Sequence, residues 1–196
     1  TQGAGLIPYD VNVPEVDFTI STSLKWMCGT PGAGILYLSP RLIRHCHPEL
    51  RGWFSQSNPF NWDITAFSYA PDIRRFDNGT PGVMAAIASL PALDWHAGQS
   101  QLALLAHNRR LTARLIDAAD DLALPLLTPR DEAKRGGSIM LRLPDDRPAA
   151  EVVAALRAQG MTTDHRSQTL RLSPGILTTA DGTERLITTL GKLLRG

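Results

Sequence analysis

"DFTISTSLKWMCGTPGAGILYL" (residues 17–38) decides how this chain is read. The run VDFTIST at 16–22 alternates β-branched and aromatic residues and predicts a strand; GILYLS at 34–39 predicts a second. Between them a run of small hydroxyl residues is followed by one lysine, Lys25, and then by the turn-forming GTPGAG. If the two strands pair, Lys25 stands near the entry of a hairpin-like unit, beside a turn that lets backbone approach closely. Lysine is scarce: only Lys25, Lys134 and Lys192 occur among the 20 basic residues, so general basicity does not explain it.

The rest of the chain bounds the possibilities. Its 196 residues suit one large domain or one and a half ordinary ones, with a globular composition of 43% hydrophobic and 20% charged residues. A net charge of +1 gives no electrostatic case for nucleic acid or an anionic membrane as main partner. No apolar run approaches the roughly 18 residues that span a bilayer. No signal peptide is visible, and Cys28 and Cys46 form no disulfide framework, so a reducing cytoplasm is the expected compartment. The chain opens on TQGAGLI, which reads as the end of a strand and its turn, as if it began inside a larger fold.

Further along, PRLIRHCHPEL (40–50) predicts a short helix or turn. Residues 51–80 are dense in turn formers and read as a long surface connection, a kind of segment that is often functional. A helix is expected from near Pro81 and a long one over about 99–120. A smaller α+β unit follows: a strand at 137–143, a helix at 147–160 closed by Gly160, strand pieces in MTTDHR and TLRLSP, and a last helix. Asp181 and Glu184 have the spacing of a capping box at its start. The adjacent His45, Cys46 and His47 would point apart on a helix, so no metal site is expected. GTPGAG lacks the serine and lysine spacing of a nucleotide-binding P-loop, and no Ser-His-Asp arrangement can be assigned.

The lysine segment resembles that of the class V aminotransferase family, fold-type I enzymes that use pyridoxal 5'-phosphate. In that family a strand ending in hydroxyl residues delivers the Schiff-base lysine, and a glycine-rich turn and a strand follow. TQGAGLIPYDV resembles the family's Asp-x-x-Gln-x-x-Gly-x-x-Pro-x-Asp-Val stretch from Gln2 through Gly5, Pro8 and Asp10. LRGWFSQ (50–56), RRFDNGTPGV (74–83) and DHRSQTLRLSP (164–174) resemble the kynureninase branch. The resemblance runs from residue 1 to about 190.

It implies an α/β chain made of the end of the large-domain sheet (1–98) and a small C-terminal α+β domain led by the long helix (99–196). It implies that Lys25 is catalytic and holds the cofactor. Gln2 would contact its phenolic oxygen, Trp53 would donate its indole N–H to the phosphate, and Ser23 would belong to the same set. Thr80 would reach the phosphate of a neighbouring subunit's site, which implies a homodimer with shared active sites. Arg171 would pair with the α-carboxylate of an amino-acid substrate, a role suited to its planar fork.

Several features depart from the pattern. Leu24 precedes the lysine where kynureninases carry a tyrosine and many relatives a histidine. No cysteine lies around RGGSIMLRL, where desulfurases hold theirs. The family's pyridine-nitrogen aspartate, ring-stacking aromatic and first phosphate loop would precede Thr1, so the chain reads as a C-terminal half. The expected activity is kynureninase-like cleavage or transamination. The alternative is a non-catalytic fragment that dimerises or binds a partner.

Overall fold

The computed structural model describes residues 1–195. The chain divides into two units, one of residues 9–98 with Thr1, the other of residues 2–8 with the chain from Gln99 onward.

In the first unit β1 (Phe18–Thr22) and β2 (Gly34–Leu38) pair antiparallel, Phe18 opposite Leu38 and Thr22 opposite Gly34. The hairpin expected from the two β-rich runs is present. A short helix, α1 (Pro40–Ile43), follows, its first turn capped by the Ser39 hydroxyl, which accepts from the Leu42 N–H. The connection over 51–80 contains two 3-10 turns, Trp53–Ser55 and Ile73–Phe76, and an isolated antiparallel bridge between Gln56 and Tyr69. Helix α2 (Val83–Ala97) then begins two residues after Pro81.

Burial in this unit runs against the usual pattern. Among its described residues the buried apolar side chains are Leu38 and Ala70, whereas Ser21, Ser23, Ser39, Ser55 and Ser89 are all buried. Val83, Ile87 and Leu90 recur at helical spacing along α2 and are exposed, while Ser89 is 1% exposed. The helix thus turns a hydroxyl inward and an apolar stripe outward, the reverse of an ordinary amphipathic helix.

The second unit has a conventional core. Helix α3 (Gln101–Asp121) buries Asn108, Leu111, Thr112, Leu115, Ile116 and Ala119, a stripe at i, i+3, i+4 spacing. A three-stranded antiparallel sheet has the order β3–β5–β4, from Ile139–Arg142, Thr169–Leu172 and Asp164–Arg166. Alternation places Ile139 and Leu141 of β3 and Leu170 and Leu172 of β5 in the core, with Met140 and Arg171 on the opposite face. Helix α4 (Ala149–Ala158) packs Val152 and Leu156 into the same cluster, and α5 (Ala180–Arg195) adds Leu190. Gly160 closes α4 at φ +79°, the left-handed position its place after the helix requires.

One expected detail is replaced. Asp181 lies inside α5, and Thr179 does the capping: its hydroxyl accepts from the Gly182 N–H at 3.0 Å. Glu184 accepts instead from Arg114 on α3, at 2.6 and 3.0 Å. Among the described residues no helix is long and apolar enough to cross a membrane.

Candidate active site

Lys25 sits at the outer tip of a closed loop. The Gly29 N–H donates to the Ser23 carbonyl at 2.8 Å and the Cys28 N–H donates to the Lys25 carbonyl at 3.0 Å, so the chain doubles back directly after the lysine. Cys28 takes φ +56°, a left-handed conformation uncommon for a residue with a side chain. Gly29 is obligatory for space: a Cβ there would lie 2.4 Å from Ser23 Oγ. At the loop base the Ser23 N–H and the Thr22 hydroxyl both donate to the Ala33 carbonyl. The Lys25 side chain is exposed, and its ammonium has no partner among the described residues.

The loop is fastened to α2 through hydroxyls. Thr30 Oγ1 donates to the Ala85 carbonyl at 2.8 Å, and the Thr30 N–H donates to Ser89 Oγ at 3.0 Å. Ser89 Oγ also lies 3.3 Å from Ser23 Oγ. Ser23 is 1% exposed, so its hydroxyl is committed to this knot rather than offered to a ligand.

Trp53 and Thr80 lie on two segments that touch. A Cβ on Gly52 would fall 1.8 Å from the Asn78 carbonyl oxygen, so only glycine allows the two backbones to meet. Ser55 Oγ donates to the Asp77 carbonyl at 2.6 Å and accepts from the Gly52 N–H at 3.0 Å. Trp53 packs edge-on against Phe54 and Phe60 and is 41% exposed, with no partner for its indole N–H among the described residues. The Thr80 hydroxyl is also exposed and unpaired. The buried Arg75 of the same connection donates to the Ala70 carbonyl at 3.0 Å, the Cys46 carbonyl at 2.8 Å and the Ile43 carbonyl. No hydrogen bond within the chain joins Lys25 to Trp53 or Thr80 among the described residues.

Gln2 and Arg171 belong to the second unit. Gln2 is exposed, just before a turn in which the Leu6 and Ile7 N–H groups donate to the Gly3 carbonyl. Arg171 is directly opposite Asp164 in the β4–β5 ladder. Its Nε donates to Asp164 Oδ1 at 2.7 Å and its Nη2 to Asp164 Oδ2. The hydrogen bonds from Arg171 hold the Asp164 carboxyl below the usual carboxylate range, and the same bonds raise the guanidinium. The side edge of the fork is thereby filled, and Nη1 on its end has no partner among the described residues.

A free amine, an indole N–H and a hydroxyl on ordered loops fit a phosphorylated aldehyde: the amine for the carbonyl carbon, the other two for the phosphate. Sequence reading missed Ser89, Asp164, Gly52 and Arg75. A single hydroxyl in the apolar run AAIASLPAL was the available sign for Ser89.

The Aminotransferase class-V family matches the chain over residues 1–182. A kynureninase of Deinococcus radiodurans is 33% identical over 84% of this chain and 40% of its own length. An uncharacterized aminotransferase of Bacillus subtilis, YcbU, is 30% identical over 92% of this chain and 46% of its own length. The chain therefore spans less than half of these curated relatives. Among solved structures, an apo cysteine desulfurase of Thermococcus onnurineus superposes over 100% of this chain and 51% of its own, with a TM-score of 0.88 at 20% identity. A cystine C–S lyase, C-DES, in complex with cysteine persulfide covers 97% of this chain and 50% of its own, with a TM-score of 0.81 at 21% identity. The last two establish the fold as that of fold-type I, and the family match over residues 1–182 shows that this chain belongs to the class V aminotransferases, a pyridoxal-phosphate-dependent family.

Proposed function

We propose that this chain carries the cofactor lysine and the substrate-carboxylate arginine of a pyridoxal-phosphate-dependent enzyme acting on an amino acid. The observation that carries the reading is Lys25 itself: an unpaired amine at the tip of a loop whose base is anchored by buried hydrogen bonds. When bound, pyridoxal phosphate supplies the electron sink for cleavage of bonds at the substrate's α-carbon.

The chain's residues do the rest. The Lys25 amine would hold the cofactor covalently, and its Nζ is the group that would take and return a proton at the reacting carbon. The Trp53 indole N–H and the Thr80 hydroxyl would donate to the phosphate, Thr80 across a homodimer interface. Gln2 would donate to the cofactor's phenolic oxygen. Arg171 offers its end edge to the substrate carboxylate and so orients the α-carbon. Ser23 serves through the loop rather than by direct contact.

Within the family, kynureninase-like hydrolytic cleavage of a carbon–carbon bond is the favoured activity, supported by the likeness to kynureninases, with transamination next. Sulfur transfer is disfavoured, because the only cysteines are Cys28 and Cys46 and neither falls in the stretch around residues 135–143. Both cysteines are free, which suits the cytoplasm. A second reading, a domain that acts by association alone, is favoured by the exposed apolar stripe of α2 and the exposed Phe60, Trp62 and Ile64.

Incubation with pyridoxal phosphate followed by borohydride reduction separates the readings. Pyridoxyl mass on the peptide that contains Lys25 is the expected result. Mass on Lys134 or Lys192 alone, or none, would falsify the enzymatic assignment. Product analysis with kynurenine, and with amino-acid and keto-acid pairs, then separates cleavage from transamination.

A further inference from the structure

We infer that Ser89 is a positioning residue for Lys25: its buried hydroxyl, on a helix 64 positions further along the chain, sets the direction in which the lysine amine is presented. The inference rests on the reading of Lys25 as the cofactor-bearing residue.

Serines inside helices commonly donate to the carbonyl one turn back, and Ser89 is 2.9 Å from the Ala85 carbonyl. That habit uses only the donor. Here the oxygen also accepts from the Thr30 N–H at 3.0 Å and sits 3.3 Å from Ser23 Oγ. Each hydroxyl has a single proton. Thr30 Oγ1 donates to the Ala85 carbonyl at 2.8 Å and lies 3.0 Å from Ser89 Oγ, and among the described residues the Thr30 N–H has no acceptor other than Ser89.

Ser23 and Thr30 bracket the loop, Ser23 two residues before Lys25 and Thr30 five after it. One side chain therefore grips both ends of the segment that carries the amine. The grip is tight. Gly29, the residue between loop and anchor, has Ser23 Oγ and Ser89 Oγ at 2.4 and 3.0 Å from where a Cβ would stand. Removing one oxygen atom at position 89 leaves the part-buried Thr30 N–H without its acceptor, and the loop must shift to satisfy it.

Hydrogen exchange and lysine labelling on the full chain test this together. Ser89→Ala is expected to speed exchange of the Thr30 amide by about tenfold, the equivalent of one lost hydrogen bond, with amides of β5 and α4 unchanged. Thr30→Val keeps the N–H that Ser89 accepts and is expected to leave that amide protected. Lys134 and Lys192 provide internal references for labelling by pyridoxal phosphate and borohydride. Ser89→Ala should reduce the Lys25 to Lys134 ratio several-fold, and Thr30→Val should reduce it less.

Should Ser89→Ala fail to fold, the unaltered chain decides: a Thr30 amide that exchanges as fast as an open loop overturns the proposal. So does Ser89→Ala with Thr30 still protected, or with Thr30 exposed and the labelling ratio unmoved. Equal labelling of all three lysines in the unaltered chain instead overturns the Lys25 reading, and this proposal with it.

Discussion

Asp164 faces Arg171 across the β4–β5 ladder and takes the Nε and Nη2 edge of its guanidinium. The arginine proposed to recognise a substrate carboxylate already holds a carboxylate of its own chain. The two do not compete for one edge, because a guanidinium has a side and an end. Asp164 aligns the plane, and the end remains for the ligand. Arg171→Ala should weaken amino-acid binding about ten- to a hundredfold, the value of a charge-assisted pair of roughly 1.5–3 kcal/mol, with cofactor affinity retained. Titrations of amino acid and of cofactor check this; equal loss of both points to a structural role.

The same pair has a pH signature. Asp164 has a folded-state pKa lowered chiefly by the Arg171 hydrogen bonds. Its contribution to stability is therefore fully present above the ordinary aspartate value of about 3.9 and disappears as pH falls through the lowered folded value. Asp164→Asn should lower stability at neutral pH, where the contribution is fully present, and should flatten part of the further loss below about pH 4, so that the two proteins converge in acid. Only part is expected, because Asp17 and Asp120 have pKa values lowered by partners of their own. Urea midpoints measured over that acid range read the effect.

Lys25→Ala should remove cofactor attachment and leave the thermal midpoint within about a degree or two, since an exposed, unpaired side chain contributes little packing. A large fall in the midpoint would show that the lysine is part of the scaffold.

Gly52→Ala is expected to be disruptive although alanine is small. The added carbon would overlap the Asn78 carbonyl, and both neighbours are backbone, so one segment must withdraw. The Trp53 and Thr80 segments should separate. Fluorescence of the indoles should shift on substitution, and any phosphate affinity should fall with it. An unchanged spectrum and affinity would contradict the contact.

Leu156→Ala addresses the second unit. Leu156 is fully buried among Val152, Leu170 and Leu190, so truncation should cost about 2–5 kcal/mol. Denaturant melts of the chain read that loss.

The exposed stripe of α2 and the open face of β1, where Ile20 is 74% exposed, should drive association. Sedimentation at rising concentration is expected to show dimers or larger species, which Ile20→Lys with Ile87→Lys should reduce. A monomer at every concentration would remove the association reading.

How much of this was legible in the sequence follows from range. Strands β1 and β2, helices α3 and α4 and the Gly160 stop are set by local pattern, and each falls where alternation, helical spacing or a glycine signal placed it. The cap of α5 falls to Thr179 instead of Asp181, and Glu184 pairs with Arg114, 70 residues away in sequence. Ser89 to Thr30 and Gly52 to Asn78 are likewise contacts between segments far apart in sequence, and no local period encodes them. In α2 the apolar period was visible, but which side faced inward was not, since the buried face is held by hydroxyls.

The knot of Ser23, Thr30 and Ser89 contains no formal charge. Ionic strength therefore acts unequally on this chain. The Arg171–Asp164 pair is partly exposed and is screened by added salt, over a Debye length of about 8 Å under physiological conditions. The lysine mount is held by neutral, buried hydrogen bonds that salt does not reach. Raising salt should loosen carboxylate recognition while the loop that bears the amine keeps its shape, so the two halves of substrate handling can be weighed separately in a single protein without changing a residue.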